Sequence, residues 1–226
     1  MTRDAVVSER EVLEALRGVL DPELDASLVE LGFVAGVAVQ GSAVRLELRL
    51  PTFWCAPNFA WLMAEDARQA VLGLPGVERV EVVLLDHHAG EEISAAVSAG
   101  RPFEQAFVGE VTEDLAGLRR LFRRKAFFKR QEQLLRTLPR AHLRKGLRLG
   151  DLPDTPEAGA YLAIRAELGL DCSPDAPALT DPRGREVEDL ETHLRQVRLM
   201  RVSMEANTAL CRGLLEARYA EQGASR

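Results

Sequence analysis

The sequence predicts an α+β protein: a small three-stranded mixed sheet with helices in the order α-β-β-α-β, followed by a mostly α-helical C-terminal region. Three observations predict it. Apolar residues switch between helical and alternating spacing several times before residue 86. Gly, Pro, Ser and Asp punctuate each switch. Beyond about residue 112 the charge character changes and only helical spacing is left.

The elements follow in chain order. Ser8-Glu9-Arg10-Glu11 reads as a capping box, Val12, Leu16, Val19 and Leu20 recur at helical spacing, and Asp21-Pro22 ends the run. Phe33 to Val39 reads as a strand. Gln40-Gly41-Ser42 is turn chemistry, and Val44, Leu46, Leu48 and Leu50 alternate with Arg45, Glu47 and Arg49, which makes a hairpin with one buried face. After Pro51 to Pro57 a helix carries Phe59, Leu62, Met63, Ala67, Ala70 and Val71 on one side and stops at Leu74-Pro75-Gly76. Arg79 to Leu85 is a third strand with Val80, Val82 and Leu84 inward. Farther on, helices are predicted over about 113–138 and 156–169, then a Pro-rich stretch from Cys172 to Pro182, then a long helix. In that helix Val187, Leu190, Leu194, Val197, Met204, Cys211 and Leu215 fit a heptad seam interrupted by Arg201 and Thr208.

Composition narrows the class. An apolar share of 46% over 226 residues suits a globular protein with a buried core. The start, Met1 to Glu11, is polar, and no apolar run reaches the ~20 residues of a membrane span, so a cytoplasmic location is expected. Cys55, Cys172 and Cys211 form no CxxC pair, so chemistry belongs to single thiols. Residues 1–112 hold 8 basic against 18 acidic side chains, a net of −10; residues 113–226 hold 21 against 17, a net of +4. That break divides the chain into an α/β domain, 1–112, and a helical extension, 113–226, basic over 115–150.

Topology brings chemistry-bearing residues together. The second strand, a helix and the third strand form a crossover, which joins parallel neighbours, so both strands end on one edge of the sheet. Cys55 follows the second strand and Asp86-His87-His88 the third; Glu30-Leu31-Gly32, before the first strand, falls at the same edge, with Asp21-Pro22-Glu23 nearby. Cys55 also stands just ahead of the helix opening at Pro57, where free N–H groups favour an anionic sulfur, the form that binds iron or attacks an electrophile. The competing reading makes Cys55 a small apolar residue under the loop. Adjacent histidines at a strand end project oppositely, so at most one of the pair faces the rim. Asp21 and Glu23 serve either the site or turn hydrogen bonding, and Glu30 either the site or solvent.

Asp21-Pro22-Glu23-Leu24, Glu30-Leu31-Gly32, Thr52-x-x-Cys55 and Leu74-Pro75-Gly76-Val77 occur here in the order of a known family. Residues 8–95 resemble the PaaD/SufT-type iron–sulfur (metal–sulfur) cluster assembly domain. The resemblance implies a small α/β protein that helps mature iron–sulfur proteins, with Cys55 as the functional thiol and Asp21 and Glu23 bordering it. The family usually has Pro directly after the Cys; here Ala56 intervenes before Pro57. Phe53-Trp54 and Asn58-Phe59-Ala60-Trp61 make the flanks aromatic, which suggests a specialised branch with a dedicated client, by analogy a multicomponent iron-containing monooxygenase.

Residues 113–226 match nothing in that resemblance. Arg119-Arg120, Arg123-Arg124-Lys125 and Lys129-Arg130 are interleaved with Leu118, Leu121, Phe122, Phe127 and Phe128. They dock on an acidic protein, bind nucleic acid, or form the solvated face of a packed helix; a pI near 5.4 weighs against nucleic acid. The heptad seam either dimerises the chain or closes an intramolecular bundle, with Cys211 in its core. A Cys–His enzyme is the competing chemical class, but no orienting third group is legible. A metal-free docking adaptor is another.

The resulting expectation is a maturation factor rather than a catalyst. It holds iron or an iron–sulfur cluster transiently through Cys55, with Asp21, Glu23 and His87 as further metal-site residues. Thr52, Glu30, Arg123, Arg124 and Lys125 contribute to binding a client metalloprotein or a cluster scaffold.

Overall fold

The structure is a computed structural model that describes residues 7–107, 115–144 and 146–223. Helix α1, Glu9–Arg17, opens with the capping box its sequence predicts: the Glu11 amide donates to Ser8 Oγ, and the Ser8 amide donates to the Glu11 carboxylate. Val12 and Leu16 form its buried stripe. Two short strands, β1 (Leu20–Asp21) and β2 (Ala26–Ser27), then pair antiparallel around the Asp21–Asp25 turn.

Strands β3 (Val34–Gln40) and β4 (Ala43–Arg49) form the predicted hairpin. Helix α2 (Pro57–Leu72) crosses to β5 (Arg79–Leu85), which pairs parallel with β4 from Ala43↔Arg79 to Arg49↔Leu85. The sheet order is β3-β4-β5. One face buries Val44, Leu46, Leu48, Val80 and Val82; the other carries Arg45, whose guanidinium bonds Glu81 at 2.9 Å. The fold class read from the sequence is therefore the observed one.

Helix α3 (Gly90–Ser98) covers the outer edge of β5. Ser98 and Ser94 accept the amides of Val82 and Leu84, each at 2.9 Å, so part of the edge that would face an absent strand is satisfied. Gly90 is required for that approach: a Cβ there would stand 2.7 Å from the Leu84 carbonyl oxygen. Helix α4 (Phe103–Ala106) adds Phe103 to the ring of Trp61, 5.3 Å between centroids.

The remaining elements are α5 (Leu115–Thr137), α6 (Pro156–Glu167) and α7 (Leu190–Gly223). The predicted start of the basic helix at Glu113 and the charge break near 112 lie outside the described residues. Two compact units result: Met1–Glu113 with Asn207–Arg226, and Asp114–Ala206. In the second unit Phe127, Leu134, Tyr161, Ile164, Leu179 and Val197 form the core. Arg201 interrupts the heptad seam because its guanidinium meets Glu132 at 2.5 Å, both side chains nearly enclosed.

A buried polar network organises that unit. Arg165, 1% exposed, donates to the carbonyls of Asp171 (2.6 Å) and Pro177 (3.2 Å), to Thr180 Oγ1 (3.1 Å) and to the Tyr161 hydroxyl (3.2 Å). Gln131 reaches the same hydroxyl at 2.7 Å and meets His193 Nε2 at 2.5 Å. These bonds fix the Pro-rich stretch 171–180 in place of regular structure, since a buried carbonyl without a donor is costly.

Candidate functional site

The parallel register puts the ends of β4 and β5 side by side, and the two loops that leave them are clasped together. The Cys55 loop, 50–56, lies between β4 and α2; Ala56 is the N-cap of α2 and Pro57 its first residue. The second loop, 86–89, leads into α3. His88 donates its amide to the Phe53 carbonyl at 3.0 Å. His87 bonds the Cys55 carbonyl through Nε2 at 2.8 Å, and its Nδ1 accepts the Ala89 amide at 3.1 Å. Because Nδ1 is an acceptor, the ring proton sits on Nε2 and is donated to Cys55. His87 is 7% exposed, and burial pushes its pKa down, against the opposing pull of the Cys55 carbonyl.

The two histidines do not diverge as strand alternation predicts. Their rings stack at 4.6 Å between centroids, and His88 stacks in turn on Trp54 at 5.2 Å. The reason is Asp86, whose φ of 49° ends the extended backbone before either histidine, so the rule for strands does not apply there.

Cys55 is half-buried, and its Sγ lies 3.3 Å from Thr52 Oγ1. The Thr52-x-x-Cys55 spacing thus makes a local contact that holds the sulfur at a defined place. Phe53 and Trp54 are 43% and 74% exposed, so the loop presents aromatic surface beside the thiol.

Asp21 is buried and builds its own turn: Oδ1 accepts the amides of Glu23 and Leu24, both at 2.8 Å. Glu23 is half-buried at that turn. Glu30 is exposed, and its carbonyl accepts a 3.2 Å bond from Arg212. Leu215 packs toward Gly32, which has φ +76° and leaves only 3.3 Å from an added Cβ to that side chain. Arg218 donates to the Leu50 carbonyl at 3.2 Å and to the Asp86 carbonyl, and the Tyr219 hydroxyl reaches Asp86 Oδ2 at 3.1 Å. Arg49 lies over the Tyr219 ring at 4.8 Å. An open cleft of about 810 Å³ runs along this rim, lined by Glu30, Gly32, Arg49, Asp86, Leu215 and Tyr219. Cys55 is not among its lining residues.

The end of α7 therefore belongs to this rim, and it brings a residue that sequence reasoning assigned to a bundle core. Cys211 is half-buried. Burial first, then neighbouring Asp21, Cys55 and Glu23, push its thiol up to about 11. Among the described residues no three His, Cys, Asp or Glu side chains are already arranged to hold a metal ion.

Arg123, Arg124 and Lys125 belong to the second unit. Arg123 pairs with Glu167 at 3.3 Å, and Lys125 lies over the Phe122 ring at 4.9 Å; Arg124 is exposed. The aromatic residues among the basic cluster face inward, with Phe122 and Phe127 buried. No helix among the described residues is long and apolar enough to cross a membrane.

With the clasped thiol loop defined, known proteins provide the comparison. The chain is 33% identical over 90 residues to an uncharacterized protein of Methanocaldococcus jannaschii, covering 39% of this chain and 93% of that one. Residues 9–82 match the family described as iron-sulfur cluster assembly protein. The chain belongs to that family. The matched segment runs from α1 into β5 and holds Asp21, Glu23, Glu30, Thr52 and Cys55; His87 and Cys211 lie beyond it. Over 71 residues the chain is also 48% identical to the iron-sulfur cluster carrier protein of Synechocystis sp., covering 31% of this chain. It spans about a fifth of that relative's length, 20%.

Proposed function

We propose that this protein receives an iron–sulfur cluster or its iron on Cys55 and delivers it to a client metalloprotein. The observation that carries the reading is the clasp: two hydrogen bonds from the 86–89 loop, the His88 amide to Phe53 O and the His87 ring to Cys55 O, together with the Thr52 contact, hold one half-exposed thiol at the joint end of two parallel strands. A pre-positioned thiol is what ligand exchange needs, because the incoming metal meets a sulfur whose loop is already ordered. Family membership and the likeness to a cluster carrier support iron–sulfur cargo.

In this reading His87 positions the loop, since both of its ring nitrogens are engaged with backbone. Asp21 shapes the turn that carries Glu23 to the thiol neighbourhood, and Glu23 and Asp21 give that neighbourhood its negative character. Exposed Trp54 and Phe53 form the contact surface for the client, because large aromatics beside a reactive group suit a partner's apolar anchor. The PaaD-type resemblance supports a dedicated client of the multicomponent iron-containing monooxygenase class, and Arg124, exposed on α5, pairs with an acidic surface of that partner.

The test is anaerobic reconstitution with iron and sulfide, followed by metal and sulfide analysis of the full chain. The wild-type protein retains both. The Cys55→Ala variant folds, by its circular dichroism spectrum, and retains at most about a tenth as much. Equal retention in the two proteins removes Cys55 from the mechanism.

A further inference from the structure

We infer that the groove between the end of α5 and the start of α7 is a docking site for an acidic, amphipathic segment of a partner protein. The inference goes beyond the reading of Cys55, because the groove lies wholly in the second unit and outside the family segment, 9–82.

The groove is an open depression of about 500 Å³ with an apolar floor. Leu135, Leu138 and Val197 are buried along it, and Leu143 and Leu194 are half-buried. Its walls are basic. Arg136 comes from the last turn of α5, Arg140 from the short 3-10 turn Arg140–His142, and Arg198 from α7; all three are exposed. Among the described residues none of these three guanidinium groups has an ion-pair partner. The carboxylate in the lining, Glu132, is already engaged, since Arg201 meets it at 2.5 Å. Three positive charges therefore surround a leucine floor, and the carboxylate that could balance them is taken.

Charge complementarity selects the occupant. Guanidinium forks bind carboxylates through paired hydrogen bonds, and a positive patch steers and orients a negative partner. The leucines between the cations call for an apolar anchor as well, which an amphipathic segment supplies when one of its faces lies in a groove. A nucleic acid fits this surface less well. Bases held on a basic groove stack on aromatic side chains, and the described lining holds none.

The probe is a synthetic, fluorescein-labelled peptide with leucines along one helical face and glutamates flanking them. Its binding to the full-length protein is read by fluorescence anisotropy. The inference predicts saturable binding that weakens at least about tenfold in Arg136→Glu and in Arg198→Glu, both checked for folding by circular dichroism. Arg136→Gln and Arg198→Gln, milder changes at the same exposed sites, should weaken it in the same direction. Arg183→Glu makes an equal charge change at an exposed arginine of the same unit outside the groove, and should bind as the wild-type chain does. Peptides with glutamine for glutamate, or serine for leucine, should bind at least about tenfold more weakly than the parent peptide. Cys55→Ala should bind the peptide normally, which separates failure of the groove from failure of the thiol reading. No binding by the wild-type chain, undiminished binding in the Arg136 and Arg198 variants, or an equal loss in Arg183→Glu overturns the inference. Parent-strength binding of the serine peptide reduces the groove to charge attraction and overturns it too. A labelled single-stranded oligonucleotide that binds more tightly than the peptide, and is lost in the same variants, assigns the groove to nucleic acid instead.

Discussion

His87 donates its Nε2 proton to the carbonyl of Cys55 across 2.8 Å, while its Nδ1 accepts the amide of Ala89. One imidazole therefore ties the loop that leaves β4 to the loop that leaves β5, and its tautomer is set by the amide on its far side. The thiol carried by the first loop owes its place to a residue more than thirty positions away.

Removing that tie should loosen the thiol loop without unfolding the chain. His87→Ala leaves the Ala89 amide and the Cys55 carbonyl without their partner, a loss of about 1–3 kcal/mol. Urea unfolding measures that loss. Faster iodoacetamide labelling of Cys55, resolved by peptide mass spectrometry, reports the loosened loop itself.

The same histidine predicts an acid-sensitive structure. Burial lowers its folded pKa below the ordinary value of about 6.5. The unfolded chain then binds more protons in the interval between the two values, so stability rises with pH across it. The contribution is complete above about pH 6.5 and is lost as pH falls toward the lower folded value. Protonation would also place a second donor against the Ala89 amide. His193 in the second unit is lowered by burial too, so the His87 share is isolated by difference. The His87→Asn variant should show a shallower fall in melting temperature between pH 7.5 and 5.5 than the wild-type protein.

Asp86 makes the turn that lets both histidines reach the loop, at a φ of 49° that costs a non-glycine residue about 1 kcal/mol. Its carboxylate accepts the Tyr219 hydroxyl, and its carbonyl accepts Arg218. Asp86→Gly should lose the Tyr219 bond but relieve the backbone. Asp86→Ala loses the bond and keeps the strain, so it should be the less stable of the two by about 1 kcal/mol in urea unfolding.

Much of this was legible in the sequence because it depends on local periodicity. The alternation from Val44 to Leu50, the capping box at Ser8 and the crossover from β4 to β5 together predict which loops share an edge. The residues that escaped that reading are governed by contacts across long separations or by one unusual dihedral angle. The stacked histidines depend on the backbone of Asp86, and alternation along β5 contains no sign of it. Cys211 fits a heptad seam as well as it fits a rim, and the interruptions at Arg201 and Thr208 do not distinguish the two. Arg165 resembles any helix-surface arginine until Asp171, Pro177 and Thr180 are seen to fold their oxygens over it.

That buried guanidinium gives a prediction for the second unit. Arg165→Ala removes the donor for the carbonyls of Asp171 and Pro177 and for Thr180 Oγ1, inside a core with Tyr161 fully enclosed. The loss should be about 3 kcal/mol or more. It should also open the 171–180 stretch to proteolysis, read as a new cleavage in that segment under limited digestion.

The account as a whole turns on cargo passing through one sulfur. The direct measurement is cluster transfer: the reconstituted full-length protein is mixed anaerobically with an apo-ferredoxin, and the acceptor's visible absorption is followed in time. The wild-type chain should fill the acceptor faster than free iron and sulfide do, and Cys55→Ala should be no faster than those free ions. Transfer from Cys55→Ala at the wild-type rate would contradict the account.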